Sequence, residues 1–83
     1  MRKYVWETSD EIIMLVASNI KMLRKRLKIS RQKLSELSGV SYGSIKRFEE
    51  TGNISLLSLT KIAMALDVTK KKKKLFAEVP YKS

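Results

Sequence analysis

Tyr42, Gly43, Lys46, Arg47 and Glu50 stand at i, i+1, i+4, i+5 and i+8, the spacing that gathers side chains on one side of an α-helix. Their chemistry suits a polyanion. Arg47 carries a planar fork of donors that matches O6 and N7 of guanine, the commonest specific contact in a major groove. Lys46 serves a phosphate oxygen or a base edge equally well. Tyr42 offers a ring to a sugar or a thymine methyl, and Gly43 reads nothing but lets the backbone come close. Glu50 can accept from cytosine N4 or turn to solvent, and solvent is the simpler account. Upstream, Arg31, Gln32 and Lys33 follow Ser30, in the first turn of another helix. Bases there oppose the helix dipole, a cost that vanishes where phosphate lies opposite. The hydroxyls of Ser41 and Ser44 are suited to helix capping and phosphate contact.

Catalysis finds little to work with. The chain has no His and no Cys, which removes the commonest general base, the usual zinc ligands and any disulfide. Glu49 and Glu50 are neighbours on a helix and point in different directions, so they do not make an acid pair. Ser41, Ser44 and Tyr42 have no His to activate them, and the Ser-Gly pairs lack a phosphate-loop context. No enzyme activity and no cofactor are expected. Eighteen Lys and Arg against eight Asp and Glu leave a net charge of +10, far more than solubility requires. The excess is uneven: residues 1–19 hold two bases and three acids, residues 20–50 nine and three, residues 51–83 seven and two. An 83-residue chain makes one small domain with little room for a deep pocket. It shows no signal-peptide pattern and no apolar run near the ~18–20 residues of a membrane span, so a cytoplasmic protein without membrane contact is expected.

The elements that must hold these residues can be read from caps and periodicity. Thr8-Ser9-Asp10-Glu11 carries a Thr-x-x-Glu capping box and opens a long helix whose stripe is Ile13, Val16, Ala17, Ile20, Leu23 and Leu27. Ile12, Met14 and Leu15 make its first two turns apolar nearly all round, a surplus to be covered by the chain's own C-terminal residues or by a partner subunit. Leu34 and Leu37 mark one face of a second helix, ended by Gly39. Val40 fills the angle of the turn, Ser41 caps a third helix, and Ile45 and Phe48 face inward from it. The pattern is a helix-turn-helix, which would lay its third helix in the major groove of double-stranded DNA. After Gly52, Ser55 or a neighbour opens a fourth helix with Leu59, Ile62, Ala63 and Leu66 as its core stripe. Lys70 to Lys74 is an unbroken basic run, followed by Leu75, Phe76 and Val79. Tyr4-Val5-Trp6, a β-prone run, is either a flexible arm or a strand to be added to a partner.

Over roughly Ile20 to Val68 the chain resembles the bacterial and phage repressors of the Cro/CI (XRE) type. The resemblance rests on Arg24, Leu34, Gly39-Val40-Ser41, Ile45, Glu49 and the closing Ile62-Ala63-x-Ala65-Leu66-x-Val68. It implies an all-α, compact four- to five-helix lambda-repressor-like domain over residues 9–68, with a short arm at 1–8 and a basic tail at 69–83. It also implies a structural ion pair between Arg24 and Glu49. DNA would be bound by Arg31, Gln32, Lys33, Ser41, Tyr42, Gly43, Ser44, Lys46 and Arg47. Three departures stand out. The usual phosphate-binding Gln and capping-box Glu are replaced by Arg31 and Lys33, the Glu-x-Gly after the third helix gains a residue as Glu49-Glu50-Thr51-Gly52, and Lys28 stands where the family often has Gly.

The expected function is a sequence-specific transcriptional repressor that binds a palindromic operator as a homodimer. The chain ends soon after the DNA-binding helices, so regulation is expected from a protein partner or from concentration. An alternative is an antitoxin resembling those that partner HipA-type toxin kinases, binding DNA and toxin together. Two other classes are a partner-binding module with vestigial DNA binding and a non-specific polyanion binder using Lys70 to Lys74; the motif's shape argues against the latter as the main role.

Overall fold

A computed structural model of the protein describes residues 8–78, which form four α-helices: α1 (Ser9–Arg26), α2 (Arg31–Ser38), α3 (Tyr42–Thr51) and α4 (Leu56–Glu78). Neither a strand nor a fifth helix occurs among them. Tyr4-Val5-Trp6 and Val79 lie outside the described residues.

Each helix start has a local cause. The Thr8 Oγ1 accepts from the Glu11 N–H at 3.1 Å while the Glu11 carboxylate accepts from the Thr8 N–H at 3.3 Å, which closes the capping box of α1. Ser30, Ser41 and Ser55 cap α2, α3 and α4, each hydroxyl oxygen accepting the amide three residues on at 3.0–3.1 Å. Gly39 and Gly52 end α2 and α3 at φ 81°, the left-handed conformation that costs glycine least. The residue inserted after Glu49 is absorbed into the last turn of α3. Between α1 and α2, Lys28 takes φ 62°, where glycine would sit without strain.

Leu27, Leu34, Val40, Ile45, Ile62 and Leu66 form the core, with Ile20, Leu23, Ile29, Ile54 and Ala65 packed around them. Ala17 and Phe48 are buried as well. A side chain such as Phe48 or Leu34 stabilises the fold by about 1.5–3 kcal/mol through the apolar surface it removes from water. α1 packs on α3, and α2 packs on both α3 and α4.

Several expected core positions lie elsewhere. Ile13 and Val16 are 44% and 39% exposed, because α1 meets the core only from Ala17 onward and its first two turns run past the end of α3. There an Ile13 methyl group lies against Gly52, whose missing side chain leaves room for it. Leu37 is exposed because α2 turns Leu34 inward and leaves Leu37 facing a groove beside α4. Ala63 is exposed too. The buried face of α4 runs through Ile62, Ala65 and Leu66, so the Ala inside is the one three residues beyond Ile62.

α4 does not stop at Asp67-Val68-Thr69. It continues through Lys70 to Lys74, since no Gly or Pro interrupts residues 56–78 and lysine is a good helix former. Asp67 and Lys71 pair at 3.1 Å across one turn. Leu75 and Phe76, on this extension, are exposed and replace no core contact.

Candidate nucleic-acid interface

The two faces of α3 are sharply divided. Ile45, Phe48 and Glu49 are buried, while Tyr42, Gly43, Lys46, Arg47 and Glu50 are exposed together. The exposed face therefore carries two cations, one carboxylate, an aromatic ring and a glycine whose Cα has open space before it. Ser41 and Ser44 sit at the start of this helix and bond each other, the Ser41 hydroxyl donating to the Ser44 Oγ at 2.9 Å. One end of the exposed face thus begins with a satisfied cap.

Behind α3 its angle is fixed by a buried charge cluster. Arg24 Nε donates to Glu49 Oε2 at 2.7 Å and Arg24 Nη2 to Oε1 at 3.1 Å, the bidentate geometry in which a guanidinium and a carboxylate match best. Arg24 Nη1 donates to the Ile29 carbonyl at 2.9 Å. One side chain of α1 therefore binds the α1–α2 loop and the end of α3 at once. The Glu49 side chain has no solvent exposure and Arg24 only 8%.

Arg31 adds a connection that the sequence did not show. Its Nε donates to Glu49 Oε1 at 2.8 Å, so the carboxylate is shared between two guanidiniums. Burial pushes the Glu49 carboxyl up, but the hydrogen bonds from Arg24 and then Arg31 outweigh it and hold the group below its ordinary value. The Arg31 guanidinium is held above its ordinary value, first by the bond to Glu49 and next by one to Tyr42. Arg31 is partly exposed while Glu49 is not, so the shared carboxylate lies beneath a cation that borders solvent.

A cleft between α1, α2 and α3 brings Arg31, Gln32 and Tyr42 together with Lys21, Lys25 and Ser30. Lys21 and Lys25 carry no motif signal in the sequence, where lysines on the second half of a helix ordinarily form a solvated face. Their position was in principle available: they lie three residues before and one after Arg24, and whatever places Arg24 against Glu49 also brings α1 beside the start of α2. Lys33 goes elsewhere. Its side chain lines the groove between α2 and α4, although its backbone amide belongs to the Ser30 cap. Lys46 and Arg47 project from α3 on the outer face, beyond the cleft.

The surface has the form of a protruding helix flanked by a basic cleft, which fits a groove and its bordering phosphates. Among the described residues no group of three or more His, Cys, Asp or Glu could hold a metal ion, and no helix is long and apolar enough to cross a membrane. The helix-turn-helix family profile matches residues 20–72, from the second half of α1 into the lysine run of α4. No curated protein and no solved structure matches the chain.

Proposed function

The chain belongs to the Cro/CI-type helix-turn-helix family of DNA-binding transcription regulators, and on that premise we propose that it is a sequence-specific repressor that binds a palindromic operator as a homodimer. The observation that carries the reading is the division of α3: its inner face is held by Ile45, Phe48 and Glu49, and its outer face presents Arg47, Lys46, Tyr42 and Gly43. Arg47 reads a base, with guanine as the partner that best fits its fork. Arg31, Gln32, Ser41 and Ser44 lie at helix starts, where phosphate contacts set register.

Selection of bound sequences from a random duplex pool tests this. The expected result is a two-fold symmetric consensus, with at least one position whose preference disappears in Arg47→Ala. Recovery of unrelated sequences by the wild-type chain would overturn sequence-specific recognition.

A further inference from the structure

α2 and α4 leave a groove of about 700 Å³ between them. Its apolar lining is Ile29, Leu37, Met64, Ala65, Val68 and Phe76. Its rim is basic: Lys33, Lys61, Lys72 and Lys73 all line it, and among the described residues no carboxylate does. A segment that fits must therefore be apolar along one side and carry acid without base.

The start of α1 has that composition. From Ser9 to Ile20 the chain contains Asp10 and Glu11 and no Lys or Arg. Ile12, Met14 and Leu15 on this stretch are 38–47% exposed, and Met14 and Leu15 form a shallow facet with the two acids. The segment is also short enough to fit. Residues 9–16 span about 12 Å of helix, and the rim from Lys61 to Lys73 spans about 18 Å.

We propose that a second copy of this chain places the first two turns of its α1 in the groove between α2 and α4, and receives the same segment in return. The inference rests on the dimeric reading above and names its interface. The arrangement is isologous about a two-fold axis, so both contacts form or neither does. Packing α4 on α4 would use some of the same apolar residues, but it would bring two lysine runs together, and like charges across an interface are strongly unfavourable.

Sedimentation equilibrium of the full chain tests this with two variants. Asp10→Lys alters the inserted segment, and Lys72→Glu with Lys73→Glu alters the rim; Glu11 is left in place because it caps α1. Each variant alone should raise the dimer dissociation constant by about tenfold or more, since each sets like charges against each other. An equimolar mixture should recover wild-type association, because every α1 start then meets a rim of opposite sign. Such recovery requires folded chains, so it separates loss of contact from loss of fold. A wild-type chain that stays monomeric overturns the proposal, and so does a mixture that fails to recover. Undiminished association of Asp10→Lys would likewise overturn it, as α4-on-α4 packing predicts. Binding of each protein to random-sequence duplex at low salt is read separately: failure of the wild type there would count against DNA binding and leave the interface result standing.

Discussion

Glu49 illustrates how a buried charge is held only as part of a complete set. Its carboxylate is removed from solvent and satisfied by two guanidiniums, so deleting it strands the buried Arg24, and deleting Arg24 leaves it only the partly exposed Arg31. Glu49→Ala or Arg24→Ala should cost about 3–5 kcal/mol in urea denaturation, and the double replacement Arg24→Met with Glu49→Leu should recover most of it. Because the folded pKa of Glu49 lies below the ordinary 4.5, the unfolded chain takes up its proton first as pH falls. Its contribution is complete above that value and is lost as pH drops through the folded pKa. Urea midpoints measured downward from pH 5 should fall more steeply in the wild type than in Glu49→Gln. The two arginines of the DNA face should separate by kind of loss. Arg47→Ala should remove about 1–3 kcal/mol of preference at particular operator positions, whereas Arg31→Ala should weaken operator and random duplex alike. Competition binding distinguishes the two, and equal losses for Arg47→Ala would remove it as a base reader. The Arg24–Glu49 geometry was anticipated only through the family pattern. The Arg31 bond was not, because a position in the first turn of α2 does not reveal that its side chain turns back to an acid 18 residues later.

The helices were legible where short-range chemistry decides them. Thr8, Ser30, Ser41 and Ser55 are caps by residue type, and Gly39 and Gly52 are stops by the same logic. Faces were less legible. The first turns of α1 are apolar in every direction, so periodicity offers no reliable stripe there: Ile13 and Val16 fit an inward face by spacing, yet α1 is buried only from Ala17 onward. On α4, Ala63 and Ala65 are equally small, and composition cannot say which of them faces α2. The end of α4 was hidden for another reason: a lysine run is as compatible with a solvated tail as with a helix. The two stop glycines give a comparison at this scale. Both have φ 81°, but a side chain at Gly39 would meet open space, whereas one at Gly52 would meet Ile13. Gly39→Ala should therefore show the backbone cost alone, about 1–2 kcal/mol. Gly52→Ala should cost about 1–3 kcal/mol more through overpacking, read as the difference between two thermal or urea unfolding curves.

As a whole, the molecule joins a rigid reading surface to two apolar extensions, the first turns of α1 and the latter part of α4. In the dimeric reading, two copies present their α3 helices to half-sites about 34–36 Å apart, one duplex turn. Inserting about five base pairs between the half-sites would turn them to opposite sides of the duplex. Gel-shift affinity should then drop to that of a single half-site, and an insert of a full turn should restore part of it. An affinity indifferent to spacing would mean that the copies bind independently. The extension of α4 has a further consequence, for motion within the free protein. Among the described side chains of α4, Thr69 is the last that is partly buried, and those of residues 70–76 are all exposed. Beyond it the helix rests mainly on its own backbone ladder, with little buried surface to keep it shut, so its amides open without the rest of the fold unfolding. Hydrogen exchange should thus draw a line inside a single unbroken helix: slow through Leu66, fast from Lys70 onward, with protection of the latter half rising as the protein becomes concentrated enough for a neighbour to cover it.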